Sequence, residues 1–145
     1  MPTPAQEILV VDDDPDFLAL LTLELEQIPG TVITTAKGDH EAVGRMREKA
    51  FALIISDWDL DTRTGPEMLT RADPELDGSI ARTENGKTPV LFISGSDKTG
   101  AAHDMQTFQH FEPVSFMLKR CGVPLISLMA GHLVHRFDSC QDISI

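Results

Sequence analysis

Ile8-Leu9-Val10-Val11-Asp12-Asp13-Asp14-Pro15 contains a strand, its end and the start of a helix in one short stretch. The four large apolar residues Ile8 to Val11 form a first strand that ends in Asp12 and Asp13. Asp14 and Pro15 then make a helix N-cap and first-turn pair. Leu18, Leu21 and Leu25 follow at spacings of three and four, so a helix runs to about Gln27, where Pro29-Gly30 breaks it. Outward from this unit the same alternation continues. Thr31 to Thr35 reads as a second strand, and Gly38-Asp39 opens a helix to about Lys49 with Ala42, Val43 and Met46 inward. Phe51 to Ser56 is an apolar strand ending at Asp57. A short third helix near Gly65 to Arg71 leads into Asp73 to Lys87, a polar connection with Pro74, Gly78 and Gly86. Pro89 to Ile93 is a fourth strand, Lys98 to His110 a fourth helix, Val114 to Leu118 a fifth strand and Leu125 to Phe137 a fifth helix. Residues 1–137 are expected to form one domain and 138–145 a C-terminal tail.

Strands separated by helices imply an α/β fold with a parallel sheet, because right-handed crossovers place helices on both faces. The expected architecture is a flavodoxin-like, doubly wound five-stranded sheet in the order 2-1-3-4-5. In that order strands one and three are neighbours at the switch point, where such folds hold their ligands. The crevice there would contain Asp12, Asp13 and Asp57.

The bulk composition narrows the function classes. The length of 145 residues fits one domain, and 41% hydrophobic with 24% charged residues fits an ordinary globular protein. No run of about 18 apolar residues is present, and no basic-then-apolar leader begins the chain, so a cytoplasmic protein with no membrane contact is expected. Cys121 and Cys140 have no CxxC spacing and read as reduced thiols. A net charge of −11 argues against nucleic acid, whose affinity rests on Lys and Arg releasing counterions.

Three carboxylates brought to one crevice repel, by about 4 kcal/mol per pair at 4 Å and an effective dielectric near 20. A hard divalent cation such as Mg²⁺ answers that repulsion with oxygen ligands while leaving room for a phosphate. Lys119, ending strand five, would add a positive charge, and Ser94, ending strand four, a hydroxyl donor for a phosphate oxygen.

With these residues in place the chain resembles the receiver domains of two-component response regulators, along nearly its whole length. Ile8 to Pro15 resembles that family's first strand and acidic pair, and Leu53-Ile54-Ile55-Ser56-Asp57-Trp58 its phosphoacceptor strand. Pro89 to Gly95 is similar to its fourth strand with hydroxyl and small residue, and Phe116-Met117-Leu118-Lys119 to its switch aromatic and lysine. Gly65 falls at the family's loop glycine. The resemblance implies Mg²⁺ held by Asp13, Asp57 and the backbone carbonyl of Asp59, with Asp12 acting through water. It implies Asp57 as the acceptor of a phosphoryl group from a sensor histidine kinase or a histidine phosphotransfer protein, assisted by Lys119 and Ser94. Phe116 would rotate inward on phosphorylation and alter the face made by the fourth helix, fifth strand and fifth helix, which a downstream protein would read. Such a protein is a phosphoacceptor rather than an enzyme with a separate substrate. With one helix and a tail after Lys119, it is expected to be a stand-alone receiver that signals by binding.

The chain departs from the family pattern in places. Arg120 follows Lys119 where the family usually has a proline, which leaves the lysine's placement open. Asp61 stands in place of the usual proline and Thr64 in place of an acid or amide; Ser94 replaces the commoner threonine, and the 73–87 connection is long. Asp59 and Ser96 flank the site as tuning positions.

Other readings compete at several positions. Asp12 and Asp13 alone could simply favour a helix N-terminus, and Phe116 alone a core. Asp57 to Asp61 begins like a calcium loop, but Thr62 and Met68 occupy the positions that need glycine and glutamate. The same acids resemble a haloacid dehalogenase-type phosphatase, yet Asp61 stands where threonine or valine belongs and Asp12-Asp13 would have no role. A degenerate receiver, binding partners without phosphorylation, is the alternative of a different class. His132 and His135 lack a third metal ligand. Leu125, Leu128, Met129 and their neighbours make the fifth helix apolar over more than one face, as a core helix or a homodimer contact would be.

Overall fold

The structure, a computed structural model, describes residues 5–60, 88–95 and 114–143, with side chains of the last helix described as far as Val134. Its elements in chain order are β1 (Gln6–Val11), α1 (Pro15–Leu25), β2 (Thr31–Ala36), α2 (Asp39–Glu48), β3 (Leu53–Asp57), β4 (Val90–Ser94), β5 (Val114–Leu118), a 3₁₀ turn (Lys119–Cys121) and α3 (Val123–Ile143). The expected helices at Gly65–Arg71 and Lys98–His110, the 73–87 connection and the positions Asp61, Thr64 and Ser96 lie outside the described residues.

The five strands form one parallel sheet in the order β2-β1-β3-β4-β5, as expected. Side chains alternate across it, so each strand serves two cores. Leu9, Val11, Ile54 and Phe92 face α2, where Ala42, Val43 and Met46 close over them. Ile8, Val10, Ile55 and Ile93 face the other way, under Leu18, Leu21 and Leu25 of α1 and Ile126, Ala130 and Leu133 of α3. Burial on both faces is why β1, β3 and β4 are unbroken apolar blocks rather than alternating ones. The registers Val11↔Ser56 and Asp57↔Ile93 bring the ends of β1, β3 and β4 level. The residues after those strands therefore share one edge of the sheet.

Local chemistry sets the ends of α1. Asp14 is extended, and its side chain accepts from the backbone N–H groups of Asp16 (3.1 Å) and Phe17 (3.4 Å), with Pro15 in the first turn. Gly30, at φ 75°, lets the chain reverse into β2. Asp14→Ala is expected to cost about 1 kcal/mol, the usual worth of an N-cap, measurable as a lowered urea midpoint with unchanged slope.

The last helix continues to Ile143, past Phe137 where the periodicity had placed its end. It buries Ile126, Ala130, Leu133 and Val134 and turns Leu125 and Leu128 outward, the latter 70% exposed. The surplus apolar character of this helix is thus partly on its surface. No helix among the described residues is long and apolar enough to cross a membrane.

Candidate functional site

The carboxyl edge of the sheet brings together the acids singled out in the sequence. One carboxylate oxygen from each of Asp12, Asp13 and Asp57 lies within 4.8 Å of the others. Asp12 is fully buried, Asp57 nearly so, and Asp13 is exposed. Asp12 follows β1 and accepts from the backbone N–H of Asp14 at 2.8 Å, which aims the turn into α1. Asp57 ends β3 and accepts from the backbone N–H of Asp59 at 3.3 Å. The oxygens, their spacing and their excess negative charge suit a hard divalent cation.

Lys119 meets them from the far side of the sheet. Its Nζ stands 2.9 Å from Asp12 Oδ2 and 3.1 Å from Asp57 Oδ2, so one ammonium bridges two buried carboxylates. The absent proline does not displace it. Lys119 to Cys121 instead form a 3₁₀ turn, closed by the N–H of Gly122 donating to the Lys119 carbonyl at 3.0 Å. Gly122 adopts φ 95°, a conformation costly for other residues. Ser94 ends β4 fully buried, on the strand next to Asp57. Asp59 is exposed and joins Asp57 through its backbone.

Phe116 lies half-buried against the α2-side core, in edge contact with Trp58 at 5.9 Å between ring centroids. Trp58 in turn stacks edge-on to Phe92 at 5.2 Å. Phe116 thus touches the residue that follows Asp57. Trp58 was quoted in the sequence only as part of a motif, and its bridging position is new. Phe17 was not anticipated at all: Lys119 Nζ sits 4.6 Å from the centroid of its ring. An aromatic in the first turn of α1 gives no hint that a lysine from the last strand will reach it.

These contacts pull Asp57 in opposite directions. Burial, and then the charge of Asp12, raise its pKa from 3.8 to about 6, although the hydrogen bond and charge of Lys119 and the N–H of Asp59 hold it down. Lys119 is likewise disfavoured as a cation by burial, but its bonds to Asp12 and Asp57 outweigh that and raise its pKa. A folded pKa above the unfolded one means that Asp57's contribution to stability is fully present below about pH 3.8 and is lost as pH rises through about 6. At pH 7.5 without divalent cation, the ionised carboxylate weighs against the fold by on the order of 3 kcal/mol. Asp57→Asn is therefore expected to be more stable than wild type at pH 7.5 in EDTA, the gap closing towards pH 4; equal urea midpoints at both pH values would contradict this.

Comparisons with known proteins agree with this geometry. A family model described as the response regulator receiver domain matches residues 8–124. The Francisella response regulator 1452 receiver domain superimposes with a TM-score of 0.69 at 21% identity, over 91% of this chain and 98% of that one. The signal receiver domain of an HD domain-containing protein from Pseudomonas fluorescens Pf-5 gives 0.73 at 19% identity, over 98% and 96%. At such identities the likeness is one of fold. An uncharacterised 14.6 kDa protein of Leptolyngbya boryana is 39% identical over 72 residues, 49% of this chain and 54% of that protein, so the match spans about half the length of this curated relative. With a family match running from the first strand into the last helix, and a five-stranded 2-1-3-4-5 sheet, the chain belongs to the response regulator receiver domain family of two-component signalling.

Proposed function

We propose that this receiver accepts a phosphoryl group on Asp57 in a Mg²⁺-dependent reaction, from a sensor histidine kinase or a histidine phosphotransfer protein. The observation that carries the reading is one half-buried ammonium, Lys119, bridging Asp12 and Asp57 in a cluster of three carboxylates. That donor set fits a metal, which Asp12, Asp13, Asp57 and the carbonyl of Asp59 would hold. When bound, Mg²⁺ supplies positive charge against the transferring phosphoryl oxygens.

The chain's own residues do the rest. An Asp57 carboxylate oxygen attacks phosphorus, the P–N bond of the donor phosphohistidine breaks, and the imidazole leaves with the bonding pair. The product is an acyl phosphate on Asp57. With a pKa of about 6, Asp57 is mostly ionised at pH 7.5 and is available as the nucleophile. Lys119, which donates to Asp57 at 3.1 Å, would follow the charge from carboxylate to phosphoryl oxygen. The Ser94 hydroxyl, on the neighbouring strand, would donate to the same group, and the space it leaves would admit Phe116. The changed face of the fourth helix, β5 and α3 then passes the signal to a downstream protein, and Leu125 and Leu128 are where a second copy of the chain would seat. A mass that stays monomeric at high concentration, with and without beryllofluoride, would remove the second copy from this reading.

The test is incubation with acetyl phosphate and Mg²⁺, followed by intact mass. The expected result is a labile phosphate adduct that EDTA prevents and Asp57→Ala abolishes. An adduct that survives in Asp57→Ala, or none in wild type, would overturn the assignment.

A further inference from the structure

We infer that Phe17 is a positioning residue for Lys119: its ring face holds the ammonium over the carboxylates that the lysine must serve. The inference rests on the reading of Asp57 as phosphoacceptor. It adds a contact on the lysine that the two carboxylates do not supply.

Lys119 leaves the end of β5, an edge strand, and its ammonium contacts Asp57 on β3 and Asp12 beyond β1. Spanning the sheet in this way freezes a four-carbon stem with large rotamer freedom. The backbone beneath it is a short 3₁₀ turn with Arg120 next in line, so the ring-constrained backbone of a proline is absent there. Side-chain contacts must therefore select the rotamer. Among the described residues these are the two carboxylates and the Phe17 ring, 4.6 Å from Nζ, well inside the range of a cation–π contact. Burial strengthens it, because Lys119 is only 20% exposed and Phe17 packs on the α1-side core.

The backbone that carries the ring is tied to the turn that carries the acids. Phe17 N–H donates to the Asp14 cap, and Asp14 N–H donates to Asp12, so Asp12, the start of α1 and Phe17 form one connected unit. A π face attracts a cation over the breadth of the ring, whereas a carboxylate holds it at individual oxygen atoms. When Asp57 takes a phosphoryl group, Lys119 can move from carboxylate to phosphoryl oxygen without leaving the ring. A hydrogen-bonding partner in that position would have to be broken.

The test compares Phe17→Leu, which removes the π face while keeping an apolar side chain, with Phe17→Tyr, which restores it. Phe17→Met replaces Phe17→Leu if that variant does not fold. The first readout is the Lys119 ammonium resonance in metal-free protein, assigned by its loss in Lys119→Ala. The second is the rate of labelling by acetyl phosphate in Mg²⁺, followed through Trp58, the chain's only tryptophan, which adjoins Asp57. Expected are a displaced or broadened ammonium resonance and about fivefold slower labelling in Phe17→Leu, both returning towards wild type in Phe17→Tyr. An unmoved resonance with a wild-type rate in Phe17→Leu would overturn the inference. So would an equal loss in both variants, since a packing role alone gives that. If wild type takes no phosphate, the phosphoacceptor reading fails separately, and the ammonium resonance in metal-free Phe17→Leu still decides the placement of Lys119.

Discussion

Lys119→Ala is expected to slow labelling of Asp57 by two orders of magnitude or more, and to destabilise the metal-free protein by several kcal/mol at pH 7.5. Both effects have one origin. The ammonium is within 3.1 Å of two carboxylates, one of them fully buried and the other nearly so. Removing one partner from a buried ion pair typically costs about 3–5 kcal/mol, because the other charge is left without compensation. Here two carboxylates lose the same cation, so Asp57 should become harder still to ionise. On the proposed reading the kinetic loss would follow from removing a cation that meets charge as it develops on the phosphoryl oxygens, an effect of roughly 10²–10³ for one such donor. Mg²⁺ separates the two contributions. Added cation should restore much of the lost stability, since it neutralises the same acids, while labelling stays slow because the lysine's place over the phosphoryl group is still empty. Urea unfolding with Mg²⁺ and with EDTA, beside acetyl phosphate labelling, measures both. A variant as stable as wild type in EDTA would mean that the ion pairs contribute nothing to the fold.

Phe92→Ala is expected to cost about 3–5 kcal/mol, the range for a buried aromatic truncated to a methyl. Phe92 is fully buried in the middle of β4, and its ring meets Trp58 edge-on at 5.2 Å. The cavity would open beneath the residue that follows Asp57, so site geometry should suffer along with stability. Val32 on the edge strand β2 provides the contrast. It is 47% exposed, and Val32→Ala should stay within about 0.5 kcal/mol of wild type. Urea midpoints at fixed pH check both, and Trp58 emission in the folded baseline reports whether the site has shifted. Comparable midpoints for the two variants would mean that the described core is not where the stability resides.

Much of the site was legible because its acids stand at the ends of apolar blocks. Ile8 to Val11 and Leu53 to Ser56 can be buried only as central strands, and an acid after each must then emerge at the same edge of a parallel sheet. Ser94 and Lys119 follow from the same logic applied to β4 and β5. The reach of Lys119 was left open because Arg120 replaces a proline, and local propensity does not reveal the 3₁₀ turn, closed by Gly122, that follows β5 instead. The end of α3 was misplaced by periodicity, which weakens after Phe137 while the helix runs on to Ile143.

Apolar spacing, turn residues and the positions of single acids are local properties, and they were enough to establish the βα order, the parallel sheet and the edge at which chemistry would occur. Contacts between residues far apart in the chain are not local. The bridging of Asp12 and Asp57 by one lysine, the Phe17 ring beside that lysine, and Trp58 between Phe92 and Phe116 depend on sheet order, register and side-chain rotamer together. The raised pKa of Asp57 belongs with them, since it is the balance of burial and charges that only the folded chain brings within a few ångströms.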